Sequence, residues 1–347
     1  MSHPAKFKVA ARQYSTRVGA ALTILILAVS GAVLAGCGRT AAVTPTYKIA
    51  MIPKMNSSEY WDVVHAGADE AVAELNRNGA HVELIWHGPD DEGAQDRQIA
   101  LIDDFVRQRV SAIILSPQDR SRMAGPVAAA AATGIPVITF DSTLNALNPT
   151  DVTAYVGTDN YAAGRVTADY VAQRLGEKGH VLMQRYLAGS ASSMEREAGF
   201  ANRLVEAHPG VTLLPWNEYT GPERTAALQK CRDALAAYGP QADAIFASTQ
   251  FVGNEMLRAV HETNPAKPIP LVVFDTNPVL VDALRQGEVD ALVIQSEKQI
   301  GRDAVLLAYR KVRGEVVSRT SFTPVTIATR ANMGEQKIQE LLSPTGH

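Results

Sequence analysis

Cysteine is nearly absent from this sequence. Only Cys37 and Cys231 occur among 347 residues, in unrelated contexts, so no disulfide framework holds the chain together. The eight histidines are scattered, with no HxxxH and no CxxC, and no metal-ligand pair is spelled out. There is no Walker loop, no GxGxxG, no GxSxG and no Ser-His-Asp set in motif context. Those absences remove the phosphate-cradling, dinucleotide and nucleophile-elbow readings. An excess of one charge is lacking too: the net charge is −3, which favours neither a nucleic-acid surface nor a polybasic membrane face. What remains is an ordinary globular composition, 46% hydrophobic and 20% charged, with length enough for two domains. No cofactor, metal or nucleic acid is expected.

The first 36 residues read as an address. Lys6, Lys8, Arg12 and Arg17 make a positive start without an acid, and residues 20–34 form an apolar run too short for a comfortable membrane span. The run closes on Leu34-Ala35-Gly36-Cys37, which resembles the bacterial lipoprotein signal, where the cysteine becomes the lipidated first residue. On that reading residues 1–36 are a signal peptide and 37–46 a tether. The folded part then starts near Tyr47, outside the cytoplasmic membrane, anchored by lipid on Cys37. The alternative is an uncleaved anchor. Cys231 sits in a helical pattern at 225–238 and is expected to be a small buried apolar residue rather than a nucleophile.

From residue 47 onward short apolar runs alternate with amphipathic ones. Strands are expected at 47–53, 81–86, 111–115, 135–140 and 153–157, with helices at 61–76, 94–107 and 122–133 between them. A second series puts strands at 180–185, 211–215, 244–247, 271–274, 291–294 and 322–327. Its helices are expected at 195–207, 225–238, 251–261, 279–286 and 299–313. Such alternation implies an α/β protein with parallel sheets and right-handed crossovers. The two series also repeat one another. Phe140-Asp141-Ser142 returns as Phe274-Asp275-Thr276, 134 residues later, and SAIILSP at 111–117 is matched by DAIFAST at 243–249. Two lobes facing one cleft are expected.

Open α/β sheets place ligands beyond the carboxyl ends of their strands, and the polar residues gather there. Asn56, Tyr60 and Trp61 follow the first strand, Ser116 the third, and Asp141 with Ser142 the fourth. Flat apolar rings beside an amide suit a sugar, which offers a CH face and hydroxyls. The alternative is that both rings pack the helix start. Asp141 and Asp275 could cap adjacent turns, but their twinned positions at the ends of apolar strands favour a ligand role. Arg196, near the start of a second-half helix, could fork onto hydroxyls or a carboxylate, or pair with Glu195 or Glu197. Trp216 is expected in the core.

The loop before Tyr60-Trp61, GIPVITFDS, VGTDNYAAG, SMEREAGF and VVFDT together resemble the ribose/galactose-type (type 1) periplasmic substrate-binding proteins of ABC sugar importers. These are relatives of the ligand-binding core of LacI-type repressors, and the resemblance covers residues 47–330. It implies two Rossmann-like lobes with parallel sheets joined by a three-strand hinge: 46–156 plus 297–323, and 157–296 plus 324–347. It implies ligand contacts at Asn56, Tyr60, Trp61, Asp141, Arg196, Asp275 and Gln295. Ser116, Ser142 and Thr249-Gln250 stand where the ribose-binding pattern has other residues, which leaves room for a larger or less polar ligand. The implied protein is a monomer, not an enzyme, that hands a sugar to an ABC permease. A sensory partner with the same site, or a glycosidase on Asp141 and Asp275, are the alternatives. A repressor is disfavoured because the address occupies the place of its DNA-binding helices.

Overall fold

The computed structural model describes residues 45–343. The expected signal peptide, Cys37 and most of the expected tether lie outside the described residues. No helix among the described residues is long and apolar enough to cross a membrane.

The first half runs β1 (Tyr47–Ile52), α1 (Glu59–Arg77), β2 (Val82–Trp86), α2 (Gln95–Arg107), β3 (Ala112–Leu115), α3 (Ala124–Ala132), β4 (Val137–Phe140) and β5 (Ala154–Thr158). The second half runs α4 (Asn160–Arg174), β6 (Gly179–Gln184), α5 (Ala191–Ala207), β7 (Val211–Leu213), α6 (Arg224–Tyr238), β8 (Ala244–Ala247), α7 (Gln250–Thr263), β9 (Leu271–Phe274), α8 (Pro278–Gln286) and β10 (Ala291–Ile294). The chain then adds α9 (Glu297–Val312), β11 (Thr320–Thr323), β12 (Thr326–Thr329) and α10 (Gln336–Leu342).

Two six-stranded sheets result, in the orders β11-β5-β4-β3-β1-β2 and β12-β10-β9-β8-β6-β7. All pairs are parallel except β10 with β12. The inner strands β3, β4, β8, β9 and β10 are buried along their whole length. A parallel sheet covered by helices on both faces needs such continuous apolar runs, and each sheet has an apolar cluster on either side. In each sheet the order reverses beside the first strand, at β1 and at β6. The crevice beyond those strand ends is where a ligand fits in folds of this kind.

The structure departs from the expected elements in three places. Residues 322–327 are not one strand: β11 belongs to the first sheet and β12 to the second, with Pro324-Val325 between them. Proline has no N–H to give a ladder, so the apolar run breaks there and the chain changes sheet. Helix α5 begins at Ala191 rather than 195, and α10 was not anticipated. Cys231 is fully buried in the second-half core. Burial pushes its thiol up to about 12. Trp216 packs partly buried against the same cluster.

Glycine sets the closest helix approach in each lobe. A Cβ on Gly301 of α9 would collide with the Val64 carbonyl of α1, and one on Gly67 of α1 with the Lys298 carbonyl. In the second lobe Gly164 of α4 faces the Arg196 carbonyl of α5, and Gly199 faces that of Tyr161. Backbone against backbone leaves no flexible side chain to yield. Gly301→Ala should therefore lower stability in urea unfolding by about 1–3 kcal/mol. Gly125→Ala in α3, where a Cβ meets open space, should stay within about 1 kcal/mol of the parent.

Candidate functional site

The carboxyl ends of β4 and β9 each deliver an aspartate in the same unusual way. Asp141 has φ 59° and Asp275 has φ 69°. The left-handed region is sparsely populated by residues with a side chain, and aspartate tolerates it better than most. In both places the N–H still donates to the neighbouring strand, Asp141 to the Val156 carbonyl at 3.0 Å and Asp275 to that of Val293 at 2.9 Å. Each ladder is kept, and the chain then turns so that the carboxylate enters the cleft. Neither aspartate caps a helix; Asn277 does that for α8, with its oxygen accepting from Leu280 N–H.

Around Asp141, four side-chain donors converge. Tyr60 donates to Oδ1 at 2.9 Å; Ser116 and Ser142 donate to Oδ2 at 3.1 and 2.9 Å. The Lys54 ammonium lies 3.1 Å from Oδ2. Burial pushes this carboxyl up, but Lys54, Arg196 and the hydrogen bonds outweigh it and hold it below the ordinary carboxylate range. Asp275 differs. Gln295 Nε2 donates to Oδ1 at 2.8 Å and Arg196 Nη1 to Oδ2 at 3.3 Å. Burial dominates there and raises its pKa, with Arg196 offsetting only in part.

Arg196 is 2% exposed and is fixed on several sides. Its Nε donates to Asn160 Oδ1 at 2.8 Å, Nη1 also reaches the Ser248 carbonyl at 3.4 Å, and the guanidinium lies 3.8 Å from the Phe274 ring centroid. Its carboxylate partner is Asp275. Glu197 is buried elsewhere, accepting from Arg185, Tyr186 N–H and Ser248, and Glu195 accepts from Thr143 across the cleft at 2.6 Å.

Between the lobes lies a cavity of about 280 Å³, near the lower end of small-molecule sites, roughly 300–1,000 Å³. Tyr60, Trp61, Asp141, Arg196, Thr249, Gln250 and Asp275 line it, together with Lys54, Glu92, Tyr186 and Asn254. Tyr60 and Trp61 meet edge to face at 4.9 Å, and Trp61 meets Phe140 at 5.8 Å. The two rings therefore both pack the helix start and wall the cavity. Gln250 Oε1 and Asn254 Oδ1, one turn apart on α7, are buried acceptors without a partner. Thr249 caps α7, accepting from Val252 N–H.

Four of the expected residues do not reach the cavity wall. Ser116 and Ser142 spend their hydroxyls on Asp141, and Gln295 holds Asp275. Asn56 is exposed and braces its own loop. Its Oδ1 accepts from Gly88 N–H at 3.1 Å and its carbonyl from Trp86 Nε1 at 2.9 Å. Conversely, sequence reading passed over Lys54, Asn160, Glu92 and Glu297. Lys54 carried a legible signal: it is a charge placed as an apolar strand ends, like Asp141 and Asp275.

Residues 49–315 match the periplasmic binding protein domain family. The chain is 27% identical over 292 residues to the ribose import binding protein RbsB of Haemophilus influenzae, covering 84% of this chain and 94% of that one. It is 25% identical over 303 residues to the xylitol-binding protein of Mycolicibacterium smegmatis, covering 87% and 83%. Among solved structures, an ABC transporter solute binding protein from Agrobacterium vitis with bound D-fucose superposes with TM-score 0.79 at 27% identity, covering 85% of this chain and 99% of that one.

Glu297, the first residue of α9, lies at a passage between the sheets and is 5% exposed. Burial, and then the charge of Asp275, push its carboxyl up from 4.5 to about 8. The unfolded chain loses this proton near the ordinary value while the folded chain keeps it. Stability therefore falls as pH rises from about 4.5 to about 8 and levels off above. Glu297→Gln should match the parent at pH 4.5 in thermal melts. At pH 8.5 it should exceed the parent by up to about 5 kcal/mol.

Proposed function

The chain belongs to the periplasmic binding protein domain family, and we propose from that premise that it captures a neutral sugar or polyol between its lobes and passes it to an ABC permease. The family is one of solute-binding proteins rather than enzymes. The observation that carries the choice of ligand is the charge balance of the cleft. Lys54 already faces Asp141 and Arg196 already faces Asp275. Arg224 pairs with the buried Glu255 at 3.3 Å. The Glu92 carboxylate accepts from Tyr186 at 2.9 Å and from Trp61 Nε1 at 3.4 Å. No cation among these is left to neutralise an anionic ligand, and Glu92, which accepts only from neutral donors, adds negative charge to the wall. An anionic ligand would be buried without a counter-ion, at a cost of several kcal/mol. Hydroxyls, by contrast, can donate to Gln250, Asn254 and Asp275 and accept from Arg196, while Tyr60 and Trp61 supply apolar ring surface for a CH face.

The proposed lobes are 46–156 with 297–323 and 157–296 with the residues from 324 on. The three passages between them act as the hinge, a reading supported by the membership of β5, β11 and β12 in their two sheets. Closure is a population shift governed by differential affinity for the open and closed forms. Lipid on Cys37 would hold the monomer at a membrane surface outside the cytoplasm, a reading that rests on the Leu34-Ala35-Gly36-Cys37 sequence. Of the expected site residues, Tyr60, Trp61, Arg196, Thr249, Gln250 and Asp275 face the ligand.

Thermal-shift screening of the purified protein against pentoses, hexoses, deoxysugars, polyols, uronates and sugar phosphates tests the reading. A neutral ligand at about a hundred times its Kd should add roughly 2.7 kcal/mol of stability. The uronate and phosphate forms of the same ligand should add nothing, and Asp275→Ala should abolish the response. A response to charged forms alone would overturn it.

A further inference from the structure

Asp141 and Asp275 are twins in sequence and backbone but not in what their oxygens have left to give. A carboxylate offers about four acceptor sites. Four donors from the protein converge on Asp141: Tyr60, Ser116, Ser142 and Lys54. Two side-chain donors reach Asp275. Asp275 thus retains the larger acceptor capacity for ligand hydroxyls, while three of the four donors to Asp141 crowd its Oδ2 and Tyr60 takes one side of Oδ1.

The occupant of Asp141 leads across the cleft. Lys54 follows β1 in the first lobe and is 4% exposed, a rare state for lysine unless its charge is paired. Its ammonium has three N–H groups. They meet Asp141 at 3.1 Å in its own lobe, and Ser190 Oγ at 3.2 Å and Ser192 Oγ at 2.9 Å in the opposite lobe. Its backbone is held as well, since Gln118 Nε2 donates to the Lys54 carbonyl and Gln98 Nε2 to that of Pro53. The serines belong to the start of α5, with Ser190 at the N-cap position. A lone cation is disfavoured at that end of a helix; Asp141 beside it makes the approach tolerable. The depressed pKa of Asp141 agrees, since it keeps the partner charged.

We infer that Lys54, held by Asp141, is a positioning residue that closes the two lobes through Ser190 and Ser192, so that it sets the affinity for every ligand alike while Asp275 discriminates among them. The inference deepens the binding role proposed above and rests on it, except in one arm of its test.

That arm needs no ligand. In thermal unfolding of the full chain, Lys54→Met, Ser190→Ala/Ser192→Ala and the triple variant form a cycle between the lobes. The expected result is a triple variant whose loss of Tm is clearly smaller than the sum of the two losses. Additive losses would overturn the inference, because they mean that lysine and serines do not meet in solution. The second arm uses whichever sugars and polyols raise the Tm of the parent protein. Ser190→Ala/Ser192→Ala, which leaves the Lys54–Asp141 pair intact, should raise every Kd by a common factor of about tenfold or more. Stopped-flow traces should place that factor in release, with capture unchanged. Asp275→Asn should instead reorder the ligands. Factors that differ from ligand to ligand in the serine variant, or a Kd within twofold of the parent, would overturn the inference. If no sugar or polyol binds the parent, the functional reading falls and the ligand-free cycle alone decides the role of Lys54.

Discussion

Burial of charge without water is the constraint on which this structure turns. Lys54, Asp141, Arg196, Asp275 and Glu297 are all nearly inaccessible and sit around one cleft. An isolated ion in such a place costs several kcal/mol, so each must find a partner or give up its charge. Lys54 and Asp141 take the first course, as do Arg196 and Asp275. Glu297 takes the second and holds its proton into the neutral range. The rest of the local architecture serves these solutions. The left-handed turns at the ends of β4 and β9 aim the carboxylates, the serines after β3 and β4 satisfy one of them, and Asn160 ties the Asp141 carbonyl to Arg196 Nε.

A cleft of this kind is useful only if its walls keep their shape while moving relative to each other. Within each lobe, glycines let two helices approach backbone to backbone, α1 with α9 and α4 with α5. Those contacts have no slack, so the proposed hinge motion would fall to the segments that pass between the sheets. Asn160 and Glu297 both lie at the first residues after such passages. The charged groups around the cleft are therefore wired to the segments proposed to bend.

Much of this was legible in the sequence because parallel sheets write themselves plainly. Strands buried on both faces must be unbroken apolar runs, and Ala112–Leu115, Val137–Phe140 and Leu271–Phe274 read as nothing else. The repeated Phe-Asp pair gave away two strand ends with one function of geometry. Arg196 was placed correctly on its helix, but its partner was not: Asp275 is 79 residues further along the chain, and no local pattern joins them. Asn56 looked like a ligand group because amides occur in binding loops. Only the fold reveals that Trp86 and Gly88 need it to brace the turn. The split of residues 322–327 into two strands was written in Pro324, whose missing N–H marks the break, but apolar periodicity continues through it. Glu297 carried no signal at all, since its proton affinity comes from burial and from a carboxylate that the chain brings near only on folding.

The second-lobe thiol has a practical bearing. Cys231 is the one cysteine among the described residues, completely enclosed and held as an unreactive thiol. Thiol-directed dyes will therefore ignore it in the native protein. A cysteine introduced on the loop at Leu147, which is 66% exposed, would be the site such a dye selects in the folded lobes. The fold thus comes ready for single-site fluorescent labelling, and lobe movement could be converted into an optical signal without first removing a native residue from the core.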